Sequence, residues 1–196
     1  NRGTFYDSRA SADTIGITIG NEASTGELRV YMNATSGSDI IVQSTDFAIG
    51  RWYHVAVTRE SGVVRLFVNG ELKDSATRNS DMNNVNDVVL GNRSYTSSSY
   101  TWFDGKMSNL RVQKGKAEYT AAFTAPTTKL EVTPETVLLA CHDPGNVLAE
   151  ATGKTLTLVK SGTVGSNSAG IVASRFVPDV GEDLSLIHIS EPTRLL

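Results

Sequence analysis

The strongest constraint on the fold is a pair of tandem β-hairpins in the middle of the chain. Apolar and polar residues alternate through residues 52–59 and again through Val63–Val68, which is typical of strands with one buried face. A short loop at residues 60–62 contains glycine and joins the two runs. The pair Asn69 and Gly70 then forms a turn in which both residues tolerate positive φ, as a type I′ hairpin requires. Residues 71–75 should therefore return as a strand.

Short β-branched and aromatic runs recur along the rest of the chain, at residues 15–19, 28–32, 40–43, 88–90 and 103–112. No stretch keeps a helical apolar period, and the one candidate for helix is a single turn over residues 117–123, before Pro126. An α/β fold needs crossover helices between its strands, and none is predicted. The pattern indicates an all-β protein, a two-sheet antiparallel β-sandwich.

Composition excludes several classes of partner. The chain has 196 residues, 39% of them hydrophobic and 20% charged, with a formal net charge of −3 and no block of Lys and Arg. We therefore expect no nucleic-acid partner and no membrane partner, since both attract basic surfaces. No apolar run approaches the roughly 20 residues that cross a bilayer. Cys141 is the single cysteine, so the fold does not depend on an internal disulfide.

Four short sequence motifs resemble those of a known family: WYHVAVTR at residues 52–59, LFVNG at 66–70, VLG at 89–91 and FDGKMSNLRV at 103–112. In order and spacing they resemble the laminin-G-like jelly roll of the concanavalin A-like superfamily. The continuation at residues 114–126 is similar to the variant found in virion proteins of tailed bacteriophages and in large bacterial surface proteins. The resemblance implies a jelly roll, and it covers residues 1–126.

The resemblance also suggests a division of the chain into three parts. Residues 1–130 correspond to a laminin-G-like sandwich that lacks its first strands, which a complete member would carry before Asn1. Residues 131–183 are rich in β-strand signals. They either complete the sandwich, which we favour because an unpaired sheet edge exposes backbone groups, or begin the next repeat.

The third part, residues 184–196, reads differently from the rest. Residues 184–194 look like the translation of a transposon-based sequencing adapter, so we set 184–196 aside as a non-native tail; the alternative is an ordinary amphipathic terminal segment. Because the chain also begins at Asn1 rather than Met, we expect a gene fragment whose flanking domains are missing.

Catalysis is not expected. Concanavalin A-like folds include glycoside hydrolases, which place two carboxyl groups about 5–9.5 Å apart across the scissile bond. Their usual Glu-x-Asp-x-x-Glu spacing on a strand is absent here, and so is the Gly-x-Ser-x-Gly elbow of serine hydrolases. The sequence therefore predicts a non-enzymatic protein, with an unusual glycosidase as the less favoured alternative.

Calcium is the only cofactor for which the resemblance gives candidates. Laminin-G-like domains often hold one Ca²⁺ at the sandwich rim through Asp and Asn oxygens, which suit a hard cation. The candidate ligands are Asp81, Asn83, Asn84, Asn86, Asp87 and Asp104. The alternative, which we favour, is that these residues simply form turns through bonds to their own backbone.

The two histidines of the main body are weaker signals. We interpret His54 as a strand histidine that packs its ring and bonds across the sheet. His142 has only the adjacent Cys141 beside it, and a zinc site needs more ligands than that.

An aromatic loop is the candidate ligand site. Tyr and Trp alternate with hydroxyl residues there, at Tyr95, Ser98, Tyr100 and Trp102. Ring faces can stack on sugar C–H groups while hydroxyls bond the sugar oxygens. The same composition also describes an ordinary exposed loop or a protein-binding surface.

The sequence thus predicts a binding module for carbohydrate or a surface polymer such as a host-surface polysaccharide. It would act in adhesion within a larger virion or cell-surface protein. The alternative is a spacer or decoration domain of a phage tail fibre or capsid with no ligand. The core candidates are Trp52, Val55, Val57, Leu66, Val68, Phe103, Met107, Leu110 and Val112.

Overall fold

The computed structural model describes residues 3–9, 16–22, 25–32, 40–45, 47–48, 50–79, 87–93, 103, 105–143, 146, 148–160, 169–173 and 184–192. These residues form thirteen strands. The first seven are β1 (Gly3–Asp7), β2 (Ile17–Asn21), β3 (Leu28–Met32), β4 (Ile40–Ser44), β5 (Tyr53–Glu60), β6 (Val63–Val68) and β7 (Glu71–Thr77). The rest are β8 (Val88–Leu90), β9 (Gly105–Lys114), β10 (Thr136–Ala140), β11 (Leu156–Lys160), β12 (Ala169–Ala173) and β13 (Leu184–Pro192).

The strands form two antiparallel sheets that pack face to face. A long sheet of seven strands has the order β11-β12-β8-β1-β2-β3-β4, and a short sheet of six has the order β10-β9-β13-β5-β6-β7. The main core lies between them and draws buried side chains from both, including Phe5, Leu28 and Val30 from the long sheet and Val57 and Leu66 from the short sheet. This confirms the predicted all-β sandwich.

The hairpins in the middle of the chain form as predicted. Asn69 and Gly70 have φ of 53° and 85°, the conformation of a type I′ turn. Ser61 and Gly62, with φ of 48° and 77°, make a second turn of the same kind. Local sequence therefore sets the register of β5, β6 and β7.

Most core predictions are confirmed, and one is wrong. Six of the nine candidates are buried: Val55, Val57, Leu66, Val68, Leu110 and Val112. Phe103 and Met107 are partly buried and pack against the same core. Trp52, however, is 47% exposed. It precedes the first residue of β5, and the alternation that turns Tyr53 and Val55 inward turns Trp52 away from the core.

The predicted helical turn at residues 117–123 is also wrong. The segment forms bends without a helix and lies on the outer face of the short sheet, meaning the face turned away from the main core. There Tyr119 and Phe123 stack at 3.4 Å between ring centroids and pack on a second buried cluster that includes Ala56 and Phe67. Packing on the sheet, rather than helix propensity, decides its backbone path.

We call residues 116–133 the strap. Its contacts with the short sheet are specific: Thr58 Oγ1 donates to Tyr119 O at 2.8 Å, and Phe123 N donates to Gly70 O at 2.9 Å. Gly70 leaves no room for a Cβ, because that atom would collide with Phe123 O. Glycine is therefore needed at this position for the strap's close approach as well as for the turn.

Strands from the later part of the chain extend both sheets. Strand β10 pairs with β9 at one edge of the short sheet, and β12 pairs with β8 in the long sheet. Strand β13, from the segment that the sequence interpretation set aside, lies between β5 and β9 and is antiparallel to both. The origin of this segment in a sequencing adapter remains a prediction, which the underlying codons test.

In the part of the chain that the structure describes, no helix is long and apolar enough to cross a membrane.

Candidate functional site

The predicted ligand residues lie mostly outside the described residues. This holds for Tyr95, Ser98, Tyr100 and Trp102 of the aromatic loop, and for Asp81, Asn83, Asn84, Asn86 and Asp104 of the calcium hypothesis. Asp87 is described, and its side chain is exposed just before β8. Among the described residues, no group of three or more His, Cys, Asp or Glu side chains could hold a metal ion.

The two ends of the aromatic loop, however, are fixed by described residues. Phe103 N donates to Gly91 O at 3.0 Å, and Gly91 N donates to Phe5 O at 3.0 Å. The ring of Phe103 meets that of Phe5 edge-on, with centroids 4.5 Å apart. Gly91 and Phe103, which flank the aromatic loop in sequence, therefore lie together beside β1.

A charged cluster, Glu22, Glu27 and Arg29, lies at the same end of the long sheet, and we call it the rim triad. Arg29 Nη1 donates to Glu22 Oε2 at 3.0 Å, and Arg29 Nε donates to Glu27 Oε2 at 3.0 Å. Arg29 is thus held by two carboxylates, and all three side chains are partly exposed. Guanidinium–carboxylate pairs of this kind hold a side chain in one orientation.

Strand register places the rim triad close to the base of the loop. Gly3 pairs with Asn21 across β1 and β2, and Asn21 pairs with Leu28 across β2 and β3. A Cβ added to Gly3 would lie 3.4 Å from the Cα of Phe103. The Gly3 end of β1, the loop base and the strand ends that carry the triad therefore meet at one rim of the sandwich.

The pKa shifts of Glu27 and Arg29 follow from their hydrogen bonds. The hydrogen bond from Arg29, and a second from Thr25, lower the pKa of the Glu27 carboxyl. Hydrogen bonds to Tyr31 and then to Glu27 raise the pKa of Arg29. Glu27 and Arg29 are therefore both held in their charged forms near neutral pH, which suits fixed hydrogen-bond partners.

A buried polar row continues along the outer face of the long sheet from the triad. Its centre is Asp7, whose Oδ1 accepts from Thr18 Oγ1 at 2.7 Å, from Arg9 N at 3.1 Å and from Arg9 Nε at 3.2 Å. The Arg9 guanidinium lies over the Tyr31 ring, 5.9 Å from its centroid, within range of a cation–π contact. Asp7 thereby fixes Arg9, and Arg9 supports the Tyr31 ring.

Sequence reasoning missed both the rim triad and the buried polar row. The signal for the triad was the pair Glu27 and Arg29, which are two residues apart and so share one face of a strand. The buried polar row had no such signal. Asp7 and Thr18 are adjacent only because β1 pairs with β2, and the sequence interpretation placed no strand at Gly3–Asp7.

The interpretation of His54 needs correction. Its backbone is well bonded, since His54 N donates to Asn69 Oδ1 at 2.9 Å, but neither ring nitrogen has a hydrogen-bond partner. Burial, and then the charge of Arg111, lowers the pKa of His54 to about 4. The ring is neutral and packed against Tyr119 and Phe123, and it does not bond across the sheet.

Comparison with known proteins agrees with this architecture. The laminin-G-type family model described as the concanavalin A-like lectin/glucanases superfamily matches residues 1–118. The chain belongs to this superfamily. A search of curated proteins finds no match.

Proposed function

We propose that this chain is a non-catalytic binding module whose ligand is a carbohydrate or a polyhydroxylated surface polymer. The observation that carries the proposal is the meeting of the rim triad with the base of the aromatic loop at one rim of the sandwich. Lectin sites combine a few oriented polar groups with aromatic rings. The triad supplies the polar groups, and the loop sequence supplies Tyr95, Tyr100 and Trp102.

The triad favours binding over hydrolysis. A glycosidase needs a general acid whose pKa is raised so that it holds a proton near neutral pH. The pKa of Glu27 is lowered instead, because Arg29 donates a hydrogen bond to its carboxylate. The two other described carboxyl groups with a resolved shift, Glu135 and Glu150, also have a lowered pKa. Glu22 and Glu27 hold one guanidinium between them, which does not resemble an acid and a nucleophile that flank a sugar.

Superfamily membership supports a binding module of this kind, since the superfamily includes lectins. We place its activity in adhesion or surface recognition, within a virion or at a cell surface. Neighbouring domains of a larger protein would be its physical context. If calcium binds, its ligands would be the Asp and Asn oxygens of residues 81–87 or the carboxylate of Asp104, as the resemblance implies.

The test is a glycan-array screen of the full chain, with calcium and again with EDTA. We expect binding that weakens about tenfold or more, a loss of at least 1.4 kcal/mol, in Arg29→Met, in Tyr100→Ala and in Trp102→Ala. Arg65→Met is the matched control: Arg65 pairs with Glu60 at 3.8 Å on the other sheet, and its loss should leave binding unchanged.

Three outcomes separate the alternatives. Loss of binding in the loop variants alone would leave the aromatic loop as the site and remove the triad. Sensitivity to EDTA would add the calcium hypothesis. Absence of binding by a folded sample in either buffer would contradict the proposal and favour a spacer or decoration domain.

A further inference from the structure

The outer face of the short sheet holds buried polar atoms without hydrogen bonds. His54 of β5 is 5% exposed, Arg111 of β9 is 5% exposed and Gln113 of β9 is fully buried. His54 Nδ1 and Nε2, Arg111 Nε and Gln113 Oε1 all lack a partner. Each such atom costs about 1–3 kcal/mol when left unsatisfied. Gln113 Oε1 is an acceptor and lies opposite Ser185, away from the level of His54. The unpartnered N–H groups of His54 and Arg111 are therefore the pair that indicates a missing acceptor.

These three residues border one groove. Strands β5 and β9 are not hydrogen-bonded to each other, and β13 lies between them, antiparallel to both. The register pairs Ile189 with His54 and Ile187 with Arg111. Paired residues of antiparallel strands share a face of the sheet, so backbone positions 187 and 189 lie opposite outer-face residues of β9 and β5. Isoleucine has no hydrogen-bonding group.

The charged groups around the groove indicate which charge the missing partner should carry. Arg111 already uses two of its nitrogens: Nη1 donates to Glu131 O at 3.1 Å, and Nη2 lies 3.6 Å from Glu118 Oε1. Its Nε is left over, as are both nitrogens of the His54 ring. On the strap side the ring meets Tyr119 and Phe123, neither of which is charged near neutral pH. A carboxylate on the intervening strand, directly opposite one of these residues and diagonal to the other, would accept from both, because directly opposite Cβ atoms are about 5 Å apart and diagonal ones about 7–8 Å.

We propose that the groove between β5 and β9 is an acceptor site for an extended peptide strand, which runs antiparallel to both strands and carries a carboxylate at the level of His54 or of Arg111. Residues 184–192 occupy the groove in this chain and show its geometry. Ladder hydrogen bonds on both sides provide affinity, and the outer-face carboxylate provides specificity, as in recognition by strand addition. The inference concerns the short sheet and does not depend on ligand binding at the rim triad.

The inner face of the incoming strand must be apolar. Leu186 pairs with Val57 and with Val112, both of which are part of the main core. The preferred peptide therefore has an apolar residue at the position of 186 and a Glu or Asp at 187 or 189.

Peptide exchange tests the proposal directly. A fluorescent peptide with the sequence of residues 184–192 is titrated into the full chain, together with the same peptide carrying Ile189→Glu or Ile187→Glu. We expect at least one Glu peptide to bind about tenfold more tightly than the parent, a difference of 1.4 kcal/mol. The matched control, Leu186→Glu, moves the carboxylate to the inner face and should not bind. Equal binding by parent and Glu peptides, or no binding by any of them, would overturn the proposal.

A second measurement detects the contact between the carboxylate and the His54 ring. In the full chain, Ile189→Glu should raise the NMR titration midpoint of His54 by at least about one pH unit, because a nearby carboxylate favours the charged ring. The neutral variant Ile189→Gln should raise it much less. Ile187→Glu provides the second position. An unchanged midpoint in both Glu variants, or loss of folding in both while the Gln variant folds, would refute the acceptor site.

Discussion

Asp7 and His54 are both buried polar side chains on the outer face of a sheet, yet their surroundings differ. Asp7, on β1 of the long sheet, accepts three hydrogen bonds from Arg9 and Thr18. The ring of His54, on β5 of the short sheet, has none. A complete polar network stabilises the fold and orients its members, whereas an incomplete one indicates where a partner belongs. The Asp7 network orders the outer face that continues from the rim triad, whereas the unpartnered ring of His54 borders the proposed acceptor groove.

The largest effect should come from removing the centre of the complete network. Asp7→Ala takes the carboxylate away from the buried Arg9 and should lower the free energy of unfolding by about 3–5 kcal/mol. Urea denaturation measures this. The control is Glu71→Ala, because Glu71 forms a surface ion pair with Lys73 at 2.6 Å that should be worth about 0–1 kcal/mol. Equal losses in the two variants would show that the Asp7 network contributes no more to stability than a surface ion pair.

The next prediction concerns the loss of stability in acid that protonation of His54 should cause. Its pKa is lowered from 6.5 to about 4 in the folded chain, so as pH falls below 6.5 the unfolded chain binds the proton first. Stability is therefore lost between pH 6.5 and about 4, by up to about 3 kcal/mol from this residue. Urea midpoints across that range measure the slope.

The variant His54→Phe should flatten that slope. It also removes two unpartnered nitrogens, so near neutral pH its stability should equal or exceed that of the parent by about 1 kcal/mol. A steep loss of stability at pH 7 would mean that the ring has a partner in solution, and the contrast with Asp7 would disappear.

The strap that covers His54 can be tested through glycine. Gly70→Ala combines strained φ with a collision against Phe123 O, and it should cost about 2–4 kcal/mol. Gly50 also has positive φ, at 76°, but nothing lies within 4 Å of its added Cβ. Gly50→Ala should therefore cost only about 1 kcal/mol. The difference in thermal unfolding between the two variants isolates the strap contact, and equal losses would mean that the strap does not lie against the hairpin.

The smallest effect is expected at Trp52. Since its side chain is 47% exposed, Trp52→Ser should change stability by no more than about 0.5 kcal/mol. A loss comparable to that of a buried aromatic residue would restore the sequence expectation that Trp52 belongs to the core.

Much of the fold could be predicted from local sequence, and little of the candidate sites. Residues 28–32, 63–68 and 88–90 were assigned as strands with the bounds that the structure gives, because alternation and turn residues act over a few positions. Strands β1 and β12 were missed. Their short runs carry weak alternation and gain their stability from neighbours that are distant in sequence.

What the sequence determined by itself was the class of fold and the hairpins from Tyr53 to Thr77, since Asn69 and Gly70 accept positive φ whatever surrounds them. Tertiary structure alone decided which polar residues meet. Asp7 reaches Thr18 through strand pairing, the rim triad reaches the loop base through register, and His54 and Arg111 lie on either side of an intervening strand. The physical reason is range: backbone conformation is decided within a turn, while hydrogen-bond satisfaction in a sheet depends on the strand that lies beside it.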